Sequence, residues 1–138
     1  MTKILHVYSD GGARGNPGPA AIGVLVCDAK DEELRDFQET IGDATNNVAE
    51  YRGVIKGLEL AAALGGQEIR YFLDSQLVAC QLSGDYKVKT DHIRELFLQV
   101  KEKEKHFRKV TYKHLPREHE KIRHVDKLVN RALNLAGF

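Results

Sequence analysis

Residues 3–19, KILHVYSDGGARGNPGP, form an apolar, β-favouring run that meets a carboxylate and passes into a loop holding four glycines and two prolines. Ile4, Leu5, Val7 and Tyr8 suit a strand covered on both faces, which puts Asp10 at the end of a central strand, where open sheets build their sites. Glycines from Gly11 to Gly18 would let the backbone approach a bulky ligand closely. Asp-Gly is equally a hairpin signal, so on this stretch alone a plain turn competes with a site. The rest of the chain has to decide.

Beyond this stretch, 138 residues with 42% hydrophobic content predict one domain, residues 1–138, with a real core. No apolar run approaches the roughly 20 residues that cross a bilayer, and MTKILHVYSD lacks the apolar stretch of a secretory signal. The expectation is a cytoplasmic protein with no membrane partner. Cys27 and Cys80 lack Cys-x-x-Cys spacing and read as small buried hydrophobes, with a disulfide between them left open. Charge is uneven: residues 1–85 hold 7 Lys and Arg against 13 Asp and Glu (−6), and residues 86–138 hold 14 against 7 (+7). An acidic half able to hold cations and a basic half able to hold phosphates fit a metal-dependent enzyme acting on nucleic acid, although ordinary surface charge explains the same numbers.

Moving outward from the glycine loop, AAIGVLVCD and LRDFQETIG read as two strands joined by the acidic turn 29–33. TNNVAEYRGVIKGLELAAALGG follows as a helix, with Val48, Ile55, Leu58 and Ala62 on one face and a Gly65-Gly66 stop. Gly53 and Gly57 each cost about 1 kcal/mol relative to Ala in a helix, which points to close packing on the sheet. EIRYFL is a short buried strand ending at Asp74, and SQLVACQL begins a helix. After the polar connection SGDYKVKTD comes a helix from about His92 to Lys105, then the strand KVTYK, a charged loop HLPREHEKIRH and a closing helix carrying Val125, Leu128, Val129, Ala132 and Ala136. The order βββαβααβα predicts an α/β domain with a mixed five-stranded sheet, an antiparallel meander plus two parallel strands, flanked by helices. Asp10 and Asp74 then lie on neighbouring parallel strands.

Four acids fall at element boundaries: Asp10, Glu50, Asp74 and Asp126. Clustered in a low-dielectric cleft they repel unless cations neutralise them, and hard oxygen ligands suit two Mg²⁺, or Mn²⁺. Two such ions activate water and steady the leaving oxygen in phosphodiester cleavage. Glu50 and Asp126 also suit helix N-termini, where carboxylates complement the helix dipole.

Asp10-Gly11-Gly12 with Gly15-Asn16-Pro17-Gly18-Pro19, Thr45-Asn46-Asn47-x-x-Glu50, Asp74-Ser75-Gln76 and Asp126-x-Leu-x-Asn130 together resemble the successive motifs of type 1 ribonuclease H. The resemblance runs from about residue 4 to residue 136. It implies the ribonuclease H-like fold in a compact bacterial or archaeal form, and metal-dependent cleavage of the RNA strand of an RNA–DNA hybrid leaving 5′-phosphate and 3′-hydroxyl ends. Asp10, Glu50, Asp74 and Asp126 match the family's metal-binding catalytic carboxylates. Asn16, Asn46, Asn47 and Gln76 match positions that contact nucleic acid in the minor groove, and such amides can exchange hydrogen bonds with the 2′-hydroxyl that marks RNA. Thr45 and Arg14 suit phosphate contacts, of which only Thr45 is carried by a matched motif, while Asn46 and Asn47 also suit helix capping. The family often carries a His or Glu in the loop before the last Asp, which makes His119, with Glu120 beside it, the candidate for proton transfer or product release, ahead of His114, which follows a strand, and His124, which abuts the last helix.

The sequence departs from familiar members in three ways. The short connection 83–91 leaves no room for a basic helical protrusion, no Trp is present to form an aromatic wall, and Ile122 and Val125 replace the Asn and Ala usual before the last Asp. A monomer is expected. Cleavage of double-stranded RNA, or a non-catalytic nucleic-acid-binding module on the same fold, are the alternative functions.

Overall fold

The apolar run at the start of the chain becomes the middle strand of a five-stranded sheet in a computed structural model that describes residues 2–138. The elements are β1 (Ile4–Ala13), β2 (Gly18–Asp28), β3 (Glu33–Ala44), α1 (Asn46–Ala63), β4 (Glu68–Leu73), α2 (Gln76–Ser83), α3 (Asp91–Glu104), β5 (Lys109–His114) and α4 (Glu120–Leu135). Sheet order is β3-β2-β1-β4-β5, antiparallel from β3 to β1 and parallel from β1 to β5. This is the expected mixed sheet. Leu5 and Val7 point into the core under α1, beside Tyr51, Val54 and Leu58. Tyr8 points the other way, into the core under α4 with Leu25, Ile122 and Val125. Both faces of β1 are thus covered, because its side chains alternate and both sets are apolar.

Asp10 is not at the end of β1, as the sequence led us to expect. The strand continues to Ala13 and pairs with β2 from Leu5 onward, with Asp10 opposite Gly23. Pairing with β4 stops at Tyr8↔Phe72. From Ser9 onward one edge of β1 is therefore open, and that opening is the crevice a strand end would have given. Gly11 and Gly23 serve the packing of helices on the sheet. A Cβ on Gly11 would fall on the Ala49 carbonyl of α1, and one on Gly23 would lie 2.6 Å from the Val125 carbonyl of α4. They let the two flanking helices come close to the sheet. Gly53 and Gly57 complete this contact from the helix side, facing the Asp10 carbonyl and the Tyr71 hydroxyl.

The second correction concerns α4. The sequence places residues 114–124 in a charged loop, whereas the helix already starts at Glu120. Ile122 is the reason: it is 1% exposed and extends the stripe of Val125, Leu128 and Val129 by one turn. Burying such a side chain contributes about 1.5–3 kcal/mol, enough to hold the first turn while Glu120 and Arg123 stay in water. Asp126 consequently lies in the second turn of α4, not at its start.

Between α2 and α3 the chain turns at Gly84 in a left-handed conformation (φ 87°) and reaches α3 without a further helix. The absence of a helical protrusion is as expected. Cys27 and Cys80 are free thiols.

Candidate active site

Three elements deliver carboxylates to the open edge of β1. Asp10 comes from the strand itself, Glu50 from the second turn of α1, and Asp74 from the first position after β4. One ligand oxygen of each lies within 4.8 Å of the others. Asp126, reaching in from α4, lines the same cavity of about 430 Å³. The four acids picked out from the sequence therefore meet at one place. Their alternative reading as helix-dipole partners falls away for Glu50 and Asp126, since both lie beyond the first turn, where the dipole acts.

Asp10 is 9% exposed and Glu50 7%. They share one donor: the Gly11 N–H reaches Asp10 Oδ1 at 3.0 Å and Glu50 Oε1 at 2.9 Å. Burial pushes the Asp10 carboxyl up to about 6, with Asp74 and Asp126 adding to the rise and Glu50 opposing it. Burial also raises Glu50 well above the usual carboxylate range, and Asp10 beside it raises it further against the pull of the Gly11 N–H. The two carboxyls interact closely and titrate as a unit. Asp74 is raised too, first by burial, while Arg117 holds it down and Asp126 pushes it up.

Glu50 Oε2 is buried and accepts no hydrogen bond from the described residues. Such an oxygen is costly in an apolar setting, and more donors would not relieve the mutual repulsion of the acids. A divalent cation with hard-oxygen preference would relieve both at once, so the donor set fits Mg²⁺ or Mn²⁺.

The amide residues form the rim. Asn16 Oδ1 accepts from the Asn46 N–H at 3.0 Å, and Asn46 Oδ1 accepts from the Ala13 N–H at 2.9 Å, pinning the β1–β2 loop to the start of α1. Their carbonyl oxygens are thereby occupied and their NH₂ groups remain as donors. Thr45 Oγ1 accepts from the Val48 N–H at 3.2 Å as N-cap of α1, and its hydroxyl proton is left to donate. Asn46 and Asn47 lie in the cavity wall, whereas Asn16, Thr45 and Gln76 do not line it. Asn47 also belongs to a second groove, which holds Leu77, Tyr86, Lys87 and Lys89.

His119 is not brought to the carboxylates. It is the N-cap of α4, where Nδ1 accepts from the Lys121 N–H at 3.1 Å, and its ring stacks on Tyr8 at 6.0 Å between centroids. It does not line the acid cavity, and neither does Glu120. His114 instead, at the end of β5 opposite Leu73, is near enough for its charge to act on Asp74. Two cations also stand in the cavity wall, one of them the Arg14 that the sequence offered as a phosphate contact. Arg117 Nε lies 3.9 Å from Asp74 Oδ2, and Arg14 leans toward Asn130. Arg14 has no motif of its own, and a lone cation inside a glycine loop was its only signal.

Comparison with known proteins adds to this geometry. Residues 8–132 match the family model described as reverse transcriptase-like. The chain is similar to the bifunctional protein Rv2228c of Mycobacterium tuberculosis, 42% identical over 132 residues, which cover 95% of this chain and 36% of that protein. It therefore spans about a third of the length of that curated relative. Its fold is similar to the crystal structure of RNase H1 from Halobacterium salinarum NRC-1, with TM-score 0.91 and 37% identity over 95% of this chain and 98% of that one. It is likewise similar to LC11-RNase H1 in complex with an RNA/DNA hybrid, with TM-score 0.90 and 39% identity over 96% and 98%.

Proposed function

Because the chain belongs to the type 1 ribonuclease H family, we propose that it is a metal-dependent endonuclease that cuts the RNA strand of RNA–DNA hybrids. The observation that carries this reading is the convergence of Asp10, Glu50, Asp74 and Asp126 on one cavity, with an orphaned carboxylate oxygen among them.

Asp10, Glu50, Asp74 and Asp126 would hold the cations. Two divalent ions there supply the charge that activates an attacking water and steadies the leaving oxygen, giving 5′-phosphate and 3′-hydroxyl ends. The protein's own part is preparation. The Gly11 N–H fixes Asp10 and Glu50 in one orientation, and their burial keeps that orientation dry. Asn46 and Asn47 offer amide donors on the α1 side of the cavity, and with Asn16 and Gln76 they would read the 2′-hydroxyls of the RNA strand. The Thr45 hydroxyl would donate to a phosphate. Residues 1–138 act in this reading as one catalytic domain, monomeric and cytoplasmic.

Labelled RNA–DNA hybrid, RNA duplex and DNA duplex, each incubated with Mg²⁺, test the proposal together. Cleavage confined to the RNA strand of the hybrid is expected. Equal cutting of the RNA duplex would transfer the activity to double-stranded RNA, and binding of all three without cutting would make the chain a non-catalytic module.

A further inference from the structure

The acid cavity contains two cations, and they are placed differently. Arg117 faces Asp74. Arg14 enters no ion pair among the described residues, although it lines a cavity built around four carboxylates. Among the described residues its guanidinium makes only two hydrogen bonds, Nη2 to Asn130 Oδ1 at 3.4 Å and to the Asn130 carbonyl at 3.5 Å, both at the long limit of a hydrogen bond. A guanidinium carries five donors, so most remain unengaged.

The root of the side chain is held far more firmly than its end. The Arg14 N–H donates to the Pro19 carbonyl at 2.8 Å, closing the loop at its base. Beside that bond, Gly18 packs so tightly that any Cβ there would meet the Arg14 carbonyl. The loop tip is pinned again through Asn16 to α1. A fixed backbone with a loosely held, multiply donating head is the arrangement of a ligand-binding arginine rather than of a strut. Half-burial lowers the entropy lost on engagement, and the planar fork matches two oxygens of one phosphate.

We propose that Arg14 is a substrate-positioning residue that takes a backbone phosphate of the bound nucleic acid on the α4 side of the acid cavity, with Asn130 as its resting place in the free protein. The assignment rests on the ribonuclease H reading above. It gives the cavity a phosphate clamp opposite the amide donors of Asn46 and Asn47, so that the strand is held from both walls while the acids face the bond between.

The test is hybrid binding to the Asp74→Asn protein, followed by fluorescence anisotropy between about 50 and 200 mM salt, with and without Arg14→Ala. A charged hydrogen-bonding contact of this kind is worth about tenfold to a hundredfold in affinity. Arg14→Ala should weaken binding by that factor and flatten the slope of log affinity against log salt by about one. With Asp74 intact, KM for the hybrid should rise about tenfold while kcat stays within about threefold. Arg14→Lys should recover the slope without the full affinity, since a point charge lacks the fork. Asn130→Ala should keep the slope, because the phosphate and not Asn130 is the partner in the complex. An unchanged slope in Arg14→Ala, or equal losses of affinity and melting temperature in Arg14→Ala and Asn130→Ala, would make Arg14 a strut and overturn the assignment. If the wild type binds and cuts the hybrid, that result overturns the role of Arg14 alone. If the wild type binds no hybrid, the proposal falls together with the function it rests on.

Discussion

Asp10 and Glu50 share a single backbone donor, and both hold their protons more tightly than ordinary carboxyls. A carboxyl whose folded value is raised binds more protons in the folded than in the unfolded state, so the metal-free protein loses stability as pH climbs from about 4, the unfolded value, through about 6, the folded value of Asp10. Each tenfold gain in proton affinity corresponds to about 1.4 kcal/mol, so Asp10→Asn should stabilise the metal-free protein at pH 7.5 by roughly 2 kcal/mol, a rise of several degrees in Tm. Calorimetric melts in chelator check this, and a lower Tm for the variant would show that the charge is already compensated. By the same sign, Mg²⁺ affinity should rise as pH passes through 6, because cation and proton compete for the same oxygens. His119 tests a different point at this scale. As the N-cap of α4 it should cost about 1 kcal/mol when changed to Ala, and His119→Asn should restore most of that. A fall in turnover of more than about tenfold with an unchanged Tm would instead return His119 to the reaction. Asp10, Glu50, Asp74 and Asp126 were legible as a set because their motifs and spacing survive in the sequence. The capping of α4 by His119 was not legible, since it depends on where that helix begins.

The misplaced start of α4 shows what local sequence hides. Glu120, Lys121, Arg123 and His124 surround Ile122 with charge, and the window reads as solvated loop. Only tertiary packing against Tyr8 and Leu25 on the sheet makes Ile122 a helix residue. Ile122→Ala should therefore destabilise by about 2–4 kcal/mol, within the range for large-to-small changes in a core, and should loosen Asp126 one turn away. Chemical denaturation gives the first quantity. A loss below about 1 kcal/mol would mean that the first turn is held by its cap alone. The glycines of β1 carry a similar lesson. A glycine-rich stretch after a carboxylate reads as a ligand-binding loop, but Gly11 is needed because α1 lies against it, a fact contained in no stretch shorter than the fold. The helix that causes this, α1, was by contrast clear from its period, its Thr45 cap and its glycine stop.

Across the whole molecule, part of the positive charge of the second half already has acidic partners and part lines a groove beside the acids. Lys101, Lys103, Lys105 and Lys121 are paired with Glu104, Glu59, Glu102 and Glu33. Lys87 and Lys89 line the groove that adjoins the acid cavity through Asn47. Charge counting by sequence cannot see which lysines already have partners. If two or more phosphates are contacted, hybrid affinity should fall about tenfold or more between about 50 and 200 mM salt, and an affinity unchanged over that range would deny any phosphate surface. The central claim is that the carboxylate cluster is the catalytic centre. It is tested most directly by turnover of a labelled RNA–DNA hybrid in Mg²⁺ by pure Asp74→Asn, beside the wild type and with circular dichroism of both. The wild type should cut the RNA strand and the variant should cut nothing while showing the same spectrum. Mg²⁺-dependent cleavage by the folded variant at more than about a hundredth of the wild-type rate, well above what survives loss of a catalytic group, would contradict the account.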